Sequence, residues 1–113
     1  MITYWHNPRC SKSRAGLALL QDREVPHQVR LYLQDTPSAA DIRAVQQALG
    51  LSMIQMMRQG ETAFKELGLS ADSDEDTLVR AMVAHPILIE RPIAISGARA
   101  VIGRPVEAIE TLL

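Results

Sequence analysis

The chain has 113 residues, of which 47% are hydrophobic and 22% charged, and its formal net charge is −1, so it is predicted to form one domain, residues 1–113, around a single core. Balanced charge and only four aromatic residues argue against nucleic acid as a partner, because phosphates are bound by uncompensated basic residues and bases by aromatic ones. No apolar run approaches the roughly 20 residues of a membrane span, and no secretory signal is recognised, so we expect a cytoplasmic protein with no membrane contact.

The first third of the chain predicts a strand, a helix and a second strand. Ile2–Trp5 is β-prone and leads into the turn signal His6-Asn7-Pro8. Helical periodicity predicts a helix over residues 11–21, and alternating apolar residues predict a strand over residues 28–33. The helix residues expected on the buried side are Ala15, Leu19 and Leu20.

The middle of the chain predicts a set of helices. Ser38 followed by Asp41 is the signature of a capping box, for a helix that Gly50 ends. Three further helical pieces are predicted over residues 51–59, 61–67 and 74–84.

A second capping box is predicted at Ser73 and Asp76, within the acidic run of residues 72–76. This run lacks the glycine and the distal glutamate of a calcium loop. Since acidic residues favour a helix N-terminus, we interpret the run as a helix start.

The last quarter predicts two short strands, over residues 92–96 and Arg99–Ile102, joined by a hairpin turn at Gly97. A final helix is expected to begin near Pro105. The predicted order is therefore β-α-β, a helical insert, and β-β-α, which is an α/β arrangement.

Cys10 is the only cysteine, so the chain contains no internal disulfide and no multi-cysteine metal site. It lies at the predicted start of the first helix, where the positive end of the helix dipole favours the reactive thiolate. His6, Arg9, Lys12 and Arg14 flank it. A lone cysteine is often a buried, inert hydrophobic residue, but these polar and basic neighbours favour a nucleophile.

The spacing around Cys10 excludes two kinds of cysteine site. A phosphatase-type loop needs arginine six residues later, where the chain has Gly16. A dithiol oxidoreductase needs a second cysteine at position 13, where the chain has Ser13. The pattern is C-x-x-S, so any disulfide of Cys10 must form with another molecule.

Arginine and proline supply the other candidate residues. Ten of the twelve basic residues are arginine, the side chain suited to bidentate binding of oxyanions, although a bias in base composition gives the same excess. Arg91-Pro92 precedes a predicted strand at the place where thioredoxin-type folds put a cis-proline against the reactive cysteine. That placement would bring Arg91 and Arg104 near Cys10. His27 and His85 have no second metal ligand at a suitable spacing, so no metal site is expected.

Several stretches together resemble the glutaredoxin-coupled arsenate reductase family over essentially the whole chain. The most specific are residues 4–14, Tyr-Trp-His-Asn-Pro-Arg-Cys-Ser-Lys-Ser-Arg, and residues 85–93, His-Pro-Ile-Leu-Ile-Glu-Arg-Pro-Ile. Further matches lie near Tyr32 and at residues 56–58, 65–69 and 103–105. The resemblance implies a thioredoxin-like fold with a helical insert between its two halves.

The resemblance also implies roles for individual residues. Cys10 would be the nucleophile, His6 would help to keep it as a thiolate, and Arg58, Arg91 and Arg104 would bind the oxyanion. Further candidates for an assisting role are Ser13, Arg14 and Pro92, and for Arg14 a solvent-facing position on the first helix is the alternative.

By the same resemblance, Cys10 attacks arsenate, glutathione attacks the adduct, and a glutaredoxin resolves the mixed disulfide as arsenite leaves. The chain would act as a monomer without a bound cofactor, with glutathione as co-substrate. Two alternatives stay open. A thiol-based regulator that binds RNA polymerase usually carries a C-x-x-C switch, which Ser13 removes here, and a general monothiol redox carrier would give the three arginines no evident purpose.

Overall fold

The computed structural model describes all residues from Met1 to Leu113. The chain divides into two compact units, described separately below. The first contains Met1–Asp35 and Arg91–Leu113, and the second contains Thr36–Glu90.

The first unit is built on a four-stranded sheet of order β2-β1-β3-β4. β1 pairs with β2 in parallel, whereas β3 is antiparallel to both β1 and β4. This order and these directions confirm the predicted thioredoxin-like α/β fold, including the hairpin of the last two strands. The strands are β1 (Ile2–Trp5), β2 (His27–Arg30), β3 (Ile93–Ser96) and β4 (Arg99–Ile102).

Helix α1, Ser11–Asp22, packs against β1, where Leu20 lies in one core cluster with Ile2 and Tyr4. A Cβ atom at Gly16 would lie 2.2 Å from the Tyr4 hydroxyl, so glycine permits this close approach. The buried residues of α1 are Ser13, Gly16 and Leu20. The helix is therefore turned so that Ala15, predicted to be buried, is exposed.

The core of the first unit lies between the sheet, α1 and a C-terminal 3₁₀ helix, Val106–Leu112. The predicted last helix is thus present, but with 3₁₀ geometry. The buried core residues are Ile2, Tyr4, Leu20, Ala94 and Ile109.

The predicted second strand is shorter than expected, because β2 ends at Arg30. The amides of Gln34 and Asp35 both donate to the Leu31 carbonyl and close a turn there. β2 is also an edge strand, and Val29 is 40% exposed. The alternation of apolar residues therefore did not mark a buried face.

The second unit is helical, as predicted for the insert, and its helix α2, Ala39–Leu49, packs on α4, Glu75–Ala84. The capping box of Ser38 and Asp41 is present, and Gly50 ends α2 in the left-handed conformation at φ 68°. α3 is a short helix, Thr62–Glu66. Within this unit α2 buries Ile42 and Val45, and α4 buries Leu78, Val79, Ala81 and Met82.

Two predictions for this unit are wrong. Residues 51–59 form only a short 3₁₀ helix, Ile54–Met56, because the following Met57 pairs with Ile89 in an antiparallel β-bridge. α4 is capped by Asp74, whose Oδ1 accepts from the Thr77 amide over 2.7 Å, and not by a capping box at Ser73 and Asp76. Ser73 is instead used in the preceding turn, where its Oγ accepts from the Ser70 amide.

None of the helices is long and apolar enough to cross a membrane.

Candidate active site

Cys10 is the N-cap residue of α1, immediately after the loop that follows β1. Its amide donates to the Asn7 carbonyl over 3.0 Å, and its carbonyl accepts from the Arg14 amide over 3.0 Å. Its side chain makes no capping hydrogen bond, and the residue is 8% exposed. The main chain thus fixes the sulfur at a helix N-terminus, where the helix dipole favours an anion.

The sheet brings three chain segments to the same edge. Trp5 at the end of β1 pairs with Ile93 at the start of β3, and Ile93 pairs with Ile102 at the end of β4. Gly103 then donates its amide to the Pro92 carbonyl over 2.9 Å. The residues flanking these strand ends, including Cys10, Arg91 and Arg104, therefore gather at one edge of the first unit.

Arg104 contacts the sulfur directly. Its Nη2 lies 3.5 Å from Cys10 Sγ, and its Nε donates to the Arg91 carbonyl over 2.7 Å. The peptide bonds Arg91-Pro92 and Arg104-Pro105 are both cis, the first as the thioredoxin-type fold led us to expect. The sequence thus indicated two arginines near Cys10, and the structure brings the side chain of Arg104 to the sulfur and links that side chain to the main chain of Arg91.

His6 is joined to Ser13 and not to Cys10. His6 Nδ1 lies 2.7 Å from Ser13 Oγ, and the Asn7 amide donates to the same Oγ over 2.9 Å. The Tyr4 hydroxyl donates to the Ser13 carbonyl over 2.6 Å. All four residues are buried. No hydrogen bond joins His6 to the sulfur, so its role in keeping the thiolate stays a prediction.

The buried position changes the ionisation of this cluster. Burial lowers the pKa of His6 below its ordinary value, and the positive charge of Arg14 lowers it further. Burial also raises the pKa of Tyr4. Both residues are therefore neutral at neutral pH, and the cluster beside the cysteine loop carries no charge of its own.

Arg14 and Arg9 are exposed side chains of the cysteine loop and α1. Arg14 donates through Nη1 to the Pro8 carbonyl over 2.9 Å. The Arg9 amide donates to Asn7 Oδ1 over 3.0 Å. Arg14 thus ties the loop to the first turn of α1, and that it assists in binding the anion stays a prediction.

Arg58 lies in the second unit, where its guanidinium forms ion pairs with Glu61 and, at 3.8 Å, with Glu90. Its side chain is 27% exposed, and its amide donates to the Leu88 carbonyl over 2.7 Å. The guanidinium is therefore held in place by two carboxylates. That Arg58 binds the same oxyanion as Arg104 stays a prediction.

Two features of the site were missed from the sequence. Asn7 and Tyr4 complete the hydrogen bonds around Ser13, and the only hint of this was the Asn-Pro turn signal. A cavity of about 210 Å³ beside the cysteine loop was also not foreseen. It is lined by His6, Asn7, Pro8, Arg9, Leu31, Leu33 and Gln34. No group of three or more His, Cys, Asp or Glu side chains is placed to hold a metal ion.

Comparison with known proteins gives consistent matches over the whole chain. A model of the ArsC family matches residues 5–112. An arsenate reductase of Neisseria meningitidis serogroup A is 44% identical over 114 residues, covering 99% of this chain and 97% of that protein. An arsenate reductase of Haemophilus influenzae is 40% identical, covering 99% and 98%. The solved structure of the arsenate reductase from Vibrio cholerae has a TM-score of 0.96 at 42% identity, covering 99% and 97%.

Proposed function

Because the chain belongs to the ArsC family, we propose that it is an arsenate reductase in which Cys10 is the nucleophile. The observation that carries this proposal is the contact of Arg104 Nη2 with Cys10 Sγ at the N-terminus of α1. A guanidinium beside the sulfur can hold an oxygen of an anionic substrate next to the attacking atom. The names of the relatives support arsenate as that substrate.

The first step is a substitution at arsenic without any redox change. Arsenate near neutral pH carries a charge between about −1 and −2, which Arg104, Arg91 and Arg58 would neutralise and orient. The Cys10 thiolate attacks the arsenic, a sulfur–arsenic bond forms, and one oxygen leaves as water after taking up a proton. The product is a Cys10 thiol–arsenate adduct that is still As(V).

The second step reduces the arsenic and needs a thiol from another molecule. The thiol of glutathione attacks the Cys10 sulfur and forms a mixed disulfide, and arsenite leaves with the electron pair of the broken sulfur–arsenic bond. Two thiols supply the two electrons, so As(V) becomes As(III). A glutaredoxin thiol then takes over the glutathione and frees Cys10. Since Cys10 is the only cysteine, the chain cannot resolve the disulfide itself.

The proposed chemistry implies which partners the protein has and in which compartment it works. Glutathione is a co-substrate, glutaredoxin is a transient partner, and no cofactor stays bound. We expect the protein to act as a monomer. We also expect it to work in the cytoplasm, because the reaction consumes reduced thiols and that compartment supplies them.

A coupled assay tests the proposal. NADPH oxidation is followed with arsenate, glutathione, glutathione reductase and glutaredoxin, and each component is omitted in turn. We expect turnover only in the complete mixture, and none with Cys10→Ser. Turnover that persists without glutathione overturns the external-thiol step. Full activity of Cys10→Ser overturns the whole mechanism, and absence of turnover in every mixture overturns arsenate as the substrate.

A further inference from the structure

Ser13 occupies the position that a second cysteine takes in a C-x-x-C pair, and its hydroxyl makes specific hydrogen bonds. Its side chain is fully buried, and its Oγ contacts both His6 Nδ1 at 2.7 Å and the Asn7 amide at 2.9 Å. A buried hydroxyl with two defined partners constrains where the protons of the group must lie.

The proton positions follow from the chemistry of the two partners. The Asn7 amide can only donate, so Ser13 Oγ accepts there. The one hydroxyl proton of Ser13 then has His6 Nδ1 as its acceptor, since no other acceptor lies within hydrogen-bond distance of this Oγ. If His6 donated from Nδ1 instead, the hydroxyl proton would be buried without a partner, which is strongly unfavourable.

We propose that Ser13 is a positioning residue that donates its hydroxyl proton to His6 Nδ1 and thereby fixes the His6 ring proton on Nε2. His6 then takes part in the reaction as a hydrogen-bond donor to the oxyanion through Nε2, and not as a base through Nδ1. The role in the reaction rests on the proposed arsenate reductase function, whereas the proton position does not.

The surroundings of His6 fit a donor role. The ring is 7% exposed and lines the cavity beside the cysteine loop. Nδ1 is occupied by Ser13, and Nε2 makes no hydrogen bond within the chain. The N–H that is left for a ligand in the cavity is therefore that of Nε2. A neutral donor of this kind adds to the charged arginines without placing another positive charge beside Arg14.

The chain provides an internal standard for the test. His27 Nδ1 lies 2.7 Å from the Val25 carbonyl oxygen, and a carbonyl can only accept. His27 must therefore carry its proton on Nδ1, the opposite tautomer to the one inferred for His6. Imidazole ¹H–¹⁵N correlation spectra of the labelled full chain at about pH 8, above the usual titration range of histidine, display both residues at once. The His6→Gln spectrum assigns the His6 signals.

We expect the His6 signals of the Nε2–H tautomer and the His27 signals of the Nδ1–H tautomer in one spectrum. In Ser13→Ala the His6 signals should shift toward a mixture of both tautomers, while those of His27 stay in place. Ser11→Ala, an exposed serine on the same turn of α1, is the matched control and should leave both unchanged. An Nδ1–H signal for His6 in the unmodified protein overturns the inference, even if Ser13→Ala does not fold.

Kinetics test the role in the reaction separately. A glutamine side chain can place an N–H near the position of histidine Nε2, whereas an asparagine side chain reaches only the position of Nδ1. The kcat/KM for arsenate of His6→Gln should therefore be roughly ten times that of His6→Asn. This ratio corresponds to the contribution of about one hydrogen bond. Ser13→Ala should lower kcat/KM roughly tenfold on the same grounds, and Ser11→Ala should not. Equal rates for the two His6 variants overturn the donor role. If the unmodified protein shows the Nε2–H tautomer but no arsenate turnover, the proposed function fails and the proton position stands.

Discussion

The guanidinium of Arg104 joins the thiol of Cys10 to the main chain of Arg91. Its Nη2 lies 3.5 Å from Cys10 Sγ, and its Nε donates to the Arg91 carbonyl over 2.7 Å. The planar fork of arginine makes both contacts at once, whereas the ammonium of lysine is a single compact charge. The geometry therefore requires arginine at this position, and a positive charge alone does not satisfy it.

Both Arg104→Lys and Arg104→Ala are expected to lower kcat/KM for arsenate. A hydrogen bond to a charged group contributes about 1.5–3 kcal/mol, which corresponds to a loss of roughly 10–100-fold. Thermal stability should change little, because Arg104 is exposed. Arg99→Ala is the matched control, since Arg99 lies on the same hairpin and donates only to the Thr111 carbonyl. Arg104→Lys with the kinetics of the unmodified protein would place the oxyanion site elsewhere.

Several features that depend on neighbours in the chain were predictable from the sequence. The Ser38 capping box, the end of α2 at Gly50 and the hairpin of β3 and β4 are all present. Cys10 as the residue at the start of α1 was predictable in the same way. In each case the side chains that define the structure lie within a few residues of one another, so local patterns were sufficient.

Features that depend on distant segments were not predictable in this way. Met57 is extended because it pairs with Ile89, and no periodicity within residues 51–59 could show that partner. Likewise, the contact of Arg104 with Cys10 requires the folded sheet. The sequence suggested it only through the resemblance to a known family and the placement of Arg91-Pro92.

The predicted role of Arg58 in binding the oxyanion can be tested by substitution. We expect Arg58→Ala to lower kcat/KM for arsenate by roughly 10–100-fold, if its guanidinium contributes one charge-assisted hydrogen bond to the oxyanion. Arg43→Ala is the control in the same unit, because Arg43 also pairs with two carboxylates, those of Glu75 and Asp76. Identical kinetics for the two variants would remove Arg58 from the site.

Gly103 supports the site by allowing β4 to approach Pro92. A Cβ atom at position 103 would lie 2.8 Å from Pro92 Cγ and 3.1 Å from Ile109 Cδ1. Gly103→Ala should therefore destabilise the protein by about 1–3 kcal/mol through overpacking, and it should lower turnover because Arg104 is the next residue. Gly60→Ala has no atom within 4 Å of the added Cβ and should leave both properties nearly unchanged. Chemical denaturation and the coupled assay measure the two effects, and equal stability of the two variants would contradict the packing argument.

Substitutions at the start of α4 can show whether Asp74 or Ser73 caps this helix. Hydrogen bonds from the side chain and from the amide of Thr77 lower the pKa of Asp74, and the amide donates to Asp74 Oδ1. Asp74→Ala should therefore lower the melting temperature at neutral pH more than Ser73→Ala does. The folded-state pKa is depressed, so the contribution is present above the ordinary carboxyl value and is lost as the pH falls through the lowered one. A larger effect of Ser73→Ala would restore the capping box predicted at Ser73 and Asp76.

The lowered pKa of His6 predicts a pH dependence of stability. Below the ordinary histidine value of about 6.5, the unfolded chain binds a proton on this residue that the folded protein does not. The free energy of unfolding should therefore decrease as the pH falls through that value, and the His6 contribution should be constant above it. The pH range from about 7.5 to 5.5 spans the ordinary pKa of histidine and lies above those of most carboxyl groups. Over this range, the free energy of unfolding of His6→Gln should decrease less than that of the unmodified protein. His27 and His85 are present in both proteins, so the difference isolates His6. Denaturant unfolding at several pH values measures it, and equal slopes would mean that His6 accepts a proton as readily in the folded protein as in the unfolded chain.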